Sequence, residues 1–304
     1  MKNLFFIFIA LITLGCTTAE KSGDGNEKPH IVATTGMLYD AVINIAGDKV
    51  TAEAIMGPGV DPHLYKATQG DLAKFNKADL IVYNGIYLEG KMSDILAKLG
   101  RQKPVVAAAE SIPKEMLKSA IGYDDAYDPH VWFDVQRWRY VVTSINEALI
   151  KLDSTNREYF QTNAASYLKE LDSLDRYVKQ RINEIPEDQR ILVTAHDAFV
   201  YFGDAYGMQV EGLQGISTVA DFGLKDIAEV IDLIIENNIK AIFVETSVSD
   251  KSIKAVVTGC QEKGHEVKIG GYLYSDAMGE LGTEEGTYTG MFKSNVETIV
   301  NALK

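Results

Sequence analysis

Residues 155–185 read TNREYFQTNAASYLKELDSLDRYVKQRINEI, thirty-odd positions without a single Gly or Pro. Tyr159, Tyr167, Leu168, Leu171, Leu174, Tyr177, Val178 and Ile182 recur along it at helical spacing. At 1.5 Å per residue such a helix runs about 45 Å, longer than one small domain is wide. A helix of that length has to join two bodies rather than cap one. A coiled coil is the alternative, and the short, Tyr-rich heptad counts against it.

On either side the chain alternates short β-branched runs with amphipathic segments. Before the long helix, His30 to Thr34, Val50 to Met56, Asp79 to Tyr83 and Pro104 to Ala107 read as strands. Met37 to Ala46, Gln69 to Asn76 and Lys91 to Leu99 read as the helices between them. After it come strands at Arg190 to Thr194, Gln209 to Leu213, Ala241 to Glu245 and Glu266 to Gly270, with a helix over Leu224 to Asn237. Strand–helix alternation produces parallel sheets covered on both faces. The expected fold class is therefore α/β: two similar lobes, each a mostly parallel sheet flanked by helices, joined by one rigid helix. The boundaries are 29–154 and 186–304 for the lobes and 155–185 for the link.

The chain begins with a different kind of segment. Lys2 precedes the apolar run Leu4 to Leu14, too short for a membrane span but right for an export signal. It ends at Thr13-Leu14-Gly15-Cys16, a lipobox-like sequence in which Cys16 is the lipidation site, with Thr13 in place of the usual Leu. Residues 1–15 are thus the expected lipoprotein signal peptide, and the polar 16–28 a flexible tether. Lipidation leaves Cys260 as the sole free thiol of the two cysteines, so no intramolecular disulfide is expected. A formal charge of −13 argues against nucleic acid as a partner, because phosphate contacts need clustered Lys and Arg.

Four short stretches carry the chemistry. Asp-Pro-His occurs twice, at 61–63 and 128–130, and in each the proline stiffens the loop that holds the histidine. His196 and Asp276 follow strands of the second lobe, at the carboxyl ends where open α/β sheets bind ligands. His63, His130, His196 and Asp276 together make a donor set suited to Zn²⁺, with Mn²⁺ or Fe²⁺ as alternatives. Glu245, Asp61 and Asp128 are candidates to accept the second ring N–H of those imidazoles, the two aspartates also being natural loop formers. His30 and His265 sit outside any such stretch and read as structural.

These residues resemble the zinc/manganese-type solute-binding lipoproteins of bacterial ABC importers, the TroA/ZnuA-like family. The resemblance runs through Gly57 to His63, Lys77 to Gly85 with Leu88-Glu89, Asp128 to Trp132, Ala195 to Phe199, Gly215 to Thr218, Phe243 to Glu245 and Asp276 to Gly279. It implies metal held between two lobes by His63, His130, His196 and Asp276, and delivered as cargo to the membrane subunits of an ABC permease. It also implies an extracytoplasmic, lipid-anchored monomer, in a periplasm or on a cell surface. His196, where manganese members often carry Glu, favours zinc. The His-rich loop of many zinc members is missing, since Ser119 to Tyr127 contains Asp124 and Asp125 but no histidine.

Two other functions compete. A secreted zinc hydrolase would want a base beside closely spaced ligands, as in His-Glu-x-x-His, and the sequence contains no such motif. An adhesin with a purely structural metal is the other. With four protein ligands no coordination position is left for a catalytic water, so the reading is of a binding protein and not an enzyme.

Overall fold

The computed structural model describes residues 28–120, 126–218 and 223–304. In the first half β1 (His30–Ala33), β2 (Thr51–Ala54), β3 (Leu80–Tyr83) and β4 (Val105–Ala107) form one parallel sheet in the order β2-β1-β3-β4. Helices α1 (Gly36–Ala46), α2 (Gln69–Lys77) and α3 (Ser93–Leu99) connect them. Ile31, Val32, Leu80, Ile81 and Val82 are fully buried, as a sheet covered on both faces demands. The start of α2 is set by a capping box: the Thr68 hydroxyl accepts the Asp71 N–H, and the Asp71 carboxylate accepts the Thr68 N–H.

Two helices follow the first sheet. The sequence reading assigns no element to residues 135–152, yet α4 (Val135–Leu152) runs there, started by Asp134, whose carboxylate accepts the N–H groups of Gln136 and Arg137. Helix α5 (Arg157–Ile182) is the long one. It is shorter than expected at both ends. Asp153 caps a tighter turn over residues 154–156, and the chain leaves the helix after Ile182, ahead of Pro186. Its buried stripe uses Phe160 and Ala164, while Tyr159 is turned outward.

The second half shows the same strand–helix alternation as the first. β5 (Ile191–His196) pairs with β6 (Gln209–Gln214) across α6 (Val200–Tyr206); beyond α7 (Leu224–Glu236), β7 (Ala241–Glu245) pairs with β8 (Lys268–Leu273) across α8 (Lys251–Glu262). β5 lies against β7, but the strands are hydrogen-bonded as two separate parallel pairs, β5-β6 and β7-β8, where the first half has one four-stranded sheet. Strand β8 sits later than the expected Glu266 to Gly270, because the glycines read as its end lie inside it. A Cβ on Gly270 would stand 2.8 Å from both Ala302 and Phe243, so glycine lets the final helix α9 (Tyr288–Leu303) close over the strand.

The halves share one core. Helix α5 packs on α1 and α4 of the first half and on α6 and α9 of the second, and a single apolar cluster runs through both. Across the seam Phe133 stacks on Phe199 at 4.4 Å and Trp138 on Tyr288 at 5.2 Å, all four rings buried. Such pairs add about 0.5–1.5 kcal/mol each beyond their burial, and a wide hinge motion would break them together. Among the described residues no helix is long and apolar enough to cross a membrane.

Candidate metal centre

The structure brings His63, His130, His196 and Asp276 together, all buried, with one donor atom of each within 4.8 Å of the others. His63 and His130 arrive on loops of the first half, His196 as the last residue of β5, and Asp276 on the loop after β8. His63 Nε2 is 3.2 Å from His130 Nε2; His130 Nε2 is 3.3 Å from Asp276 Oδ1; His196 Nε2 is 3.4 Å from Asp276 Oδ2. A tetrahedron with bonds of 2.0–2.1 Å has edges of about 3.3–3.4 Å; these three separations match it, while His63 Nε2 to Asp276 Oδ2 is wider at 3.8 Å, so one ion shared by all four draws His63 slightly inward. Both Asp276 oxygens and His196 Nε2 are buried without a hydrogen bond, close to their neighbours but not aligned to share a proton. Buried donor atoms left unsatisfied are what a cation would complete.

The electrostatics agree. Burial, helped by the two neighbouring imidazoles, pushes His63 down to about 3, so its ring is neutral and its lone pair free. Burial opposes charge on His130 as well, but Asp128 and Asp276 outweigh it and lift it to about 9. Burial is likewise outweighed at His196 by Glu245 and Asp276, which raise it well above the usual imidazole range. At Asp276 burial is overcome by the three histidines, which hold the carboxyl well below the ordinary carboxylate range. Three carboxylates thus face three imidazoles, and a divalent ion can take the place of the protons that otherwise balance them.

The three proposed supporting carboxylates do different things. Asp128 Oδ1 accepts both the backbone N–H of His130 at 2.9 Å and its ring Nδ1–H at 2.7 Å, fixing the tautomer that aims Nε2 at the centre. Glu245 Oε1 accepts the His196 backbone N–H at 2.8 Å, and Oε2 rests against its Nδ1. Asp61 does not reach a ring; Oδ1 accepts the His63 backbone N–H at 2.8 Å and Oδ2 the Thr218 hydroxyl at 2.6 Å. It is therefore a loop former here, one oxygen closing the Asx turn on the backbone and the other held by Thr218. Trp132 stands 5.2 Å from the His130 ring and donates its indole N–H to the Ser275 carbonyl at 3.0 Å. Phe199 is buried against Phe133, one layer further out. His30 bonds Glu53 and His265 meets the Ile239 carbonyl, both away from the cluster. Cys16 lies outside the described residues, as do Asp124 and Asp125.

Several residues that position these candidate ligands escape sequence reasoning. The loop carrying His130 is held by its carbonyls: Asp128 by the Tyr201 hydroxyl at 2.9 Å, Pro129 by the Asn84 amide at 3.1 Å, Trp132 by the Tyr288 hydroxyl at 2.7 Å. Asn84 is in turn fixed by buried Glu89, which accepts its backbone N–H at 2.7 Å and the Thr34 hydroxyl at 2.6 Å. Between Asn84 and Glu89 the chain turns through three left-handed residues, Gly85, Ile86 and Tyr87, an arrangement costly for the last two and tolerable because Glu89 also takes the Gly85 N–H. Asn295, on the buried face of α9, clamps Tyr274 through both its N–H (2.8 Å) and its carbonyl (2.7 Å), two residues before Asp276. A lone Asn and Glu among apolar neighbours is the signal that would have marked two of them.

Comparison with known proteins places this geometry. A family model described as ZnuA, zinc-uptake complex component A periplasmic, matches residues 31–302. The chain is 51% identical over 304 residues, all of its length and 98% of the relative's, to the manganese-binding lipoprotein MntA of Bacillus subtilis. It is 46% identical over 93% of its length, and 91% of the other's, to the zinc-binding protein TroA of Treponema pallidum. The solved structure of the periplasmic zinc-binding protein TroA from that organism superposes with a TM-score of 0.89 at 47% identity, covering 91% of this chain and 99% of the other. On sequence, on fold and on the extent of the match, the chain belongs to the ZnuA/TroA family of metal-binding components of ABC importers.

Proposed function

We propose that this chain captures a divalent transition metal outside the cytoplasm and hands it to an ABC-type permease, with His63, His130, His196 and Asp276 as its ligands. The observation that carries the ligand assignment is the convergence of those four buried donors, from both halves, within 4.8 Å of one another, close enough for one ion to reach them all. Zn²⁺ is the favoured ion, because three imidazoles and one carboxylate in tetrahedral array suit it better than Mn²⁺ or Fe²⁺, which take more oxygen ligands and more open geometries. The metal is cargo: with four protein groups ligating, water has no coordination position from which to be activated, and a hydrolase reading loses its nucleophile.

The chain is organised for this task as an export and lipidation segment (1–15, with Cys16 as the anchor), a tether over 16–28, lobes over 29–154 and 186–304, and the linking helix between them. Lipid on Cys16 holds it to the membrane beside the permease, and it works as a monomer. Because the halves share a core, binding is accompanied by a small rearrangement of the ligand loops and not by a clam-shell closure. The test is elemental analysis of the purified protein followed by calorimetric titration of the metal-free form with Zn²⁺ and Mn²⁺. One equivalent bound, with Zn²⁺ the tighter, is expected; no saturable binding of either ion would end the proposal.

A further inference from the structure

The three imidazoles are not equally supported. His130 has Asp128 on its second ring nitrogen and His196 has Glu245 against its own, whereas among the described residues no carboxylate reaches the second ring nitrogen of His63. His63 is oriented instead through its backbone, by Asp61 Oδ1. The other oxygen of that carboxylate crosses between the halves to accept the Thr218 hydroxyl at 2.6 Å. Thr218 is itself fixed, since its carbonyl accepts the side-chain amide of Gln214 at 2.7 Å. Gln214 is the register partner of His196 at the ends of β6 and β5. The least supported ligand of the first half is thereby tied, through Asp61, Thr218 and Gln214, to the strand pair that carries a ligand of the second. The same loop meets the second half again at Gly59, where a Cβ would lie 3.4 Å from the Thr246 carbonyl.

We propose that Thr218 is a positioning residue that sets how long the ion stays bound, its hydroxyl latching the His63 loop across the two halves. The inference rests on the metal-binding reading above. His63 is then the first ligand to leave, and breaking one hydrogen bond frees its loop without disturbing His130, His196 or their carboxylates.

The experiment is a chelator chase of Zn²⁺-loaded protein, read as a release rate, on wild type, Thr218→Val and Thr218→Ser. The valine variant keeps the shape and loses the hydroxyl, and should release Zn²⁺ about tenfold faster or more, the scale on which groups behind metal ligands act. The serine variant keeps the hydroxyl and should stay within about twofold of wild type. Both should melt with the wild type when metal-free, and Thr218→Ala serves if the valine variant does not fold. Wild-type release from the valine or alanine variant would overturn the proposal. So would additive effects of Thr218→Val and Asp61→Asn, because residues acting through one hydrogen bond must couple. Failure of the wild type to bind Zn²⁺ at all would instead refute the metal site itself.

Discussion

Glu245, the last residue of β7, accepts the backbone N–H of His196 at 2.8 Å with one oxygen and rests against the Nδ1 of the same residue with the other. One side chain thus aligns both the strand end and the ring it carries. Both groups are completely buried at the side chain, so neither contact competes with water.

That relationship gives a first prediction. Glu245→Gln preserves an acceptor for the backbone N–H and removes the charge that makes the imidazole a better ligand. Zn²⁺ affinity should fall by about 10–100-fold with the fold intact. Calorimetry and circular dichroism on the same preparation check it, and an unchanged affinity would remove Glu245 from the site.

Removing a ligand should cost more than removing its support. His196→Ala or Asp276→Ala should weaken Zn²⁺ binding beyond the roughly 100-fold expected at most for supporting groups. His30→Ala is the control: its ring bonds Glu53 at the far end of the sheet and should leave affinity untouched.

Stripping the metal separates cargo from structural staple. A carrier whose halves share a core should stay folded without its ion and only melt lower, by the binding free energy the ion contributed. The radius of gyration from solution scattering should change little between the two forms. Loss of secondary structure on chelation would favour a structural metal, and a large compaction on loading would contradict the shared core.

Asp40 supplies a pH signature remote from the ligands. It is buried under α5, accepts the Tyr167 hydroxyl at 2.8 Å and the Asn44 amide at 3.1 Å, and burial raises it to about 6. A folded-state value above the unfolded one means its contribution is fully present below about pH 4 and is lost as pH rises through about 6. The loss amounts to roughly 3 kcal/mol as an order of magnitude. Asp40→Asn should therefore flatten the decline in stability between about pH 4 and 7, nearly all of which falls below pH 6. Denaturant melts of both proteins at those two pH values test it, and parallel declines would refute it.

Asn295 tests the loop that carries Asp276. Asn295→Ala leaves the part-buried Tyr274 N–H and carbonyl without their partner, at a cost of about 1 kcal/mol for each hydrogen bond lost. Melting should drop and Zn²⁺ affinity with it. A variant that loses stability while binding as wild type would show that the clamp serves the core alone.

Much of this was legible in the residues. The strands ending at Tyr83 and Glu245 show because buried parallel strands leave unbroken apolar, β-branched runs, the half-buried edge strand ending at Ala107 by its paired valines, and α5 because a Gly- and Pro-free stretch with a 3.6-residue stripe admits little else. The four candidate donors stand out because proline-stiffened loops and strand ends are where such side chains converge, and the structure does bring them together. Helix α4 is harder to see, since its buried face begins with Val135 and Trp138 directly behind the Asp128-Pro129-His130 loop and its turn. Strand β8 is displaced because Gly270 and Gly271, local breakers by propensity, are required by the closeness of α9.

By itself the sequence determined the strands of both halves to within a few residues, the long helix between them, and that the pattern occurs twice, and it singled out four side chains with the chemistry to bind metal, because periodicity and donor chemistry are properties of neighbouring residues. Tertiary structure alone decided that Asp61 shapes a loop while Asp128 and Glu245 hold rings, that Asn84, Tyr201 and Asn295 fix the ligand loops, and that the two halves share one core. Those outcomes depend on partners dozens to more than a hundred positions apart, and only the closed, dry packing of the chain chooses among the many polar groups that could have met.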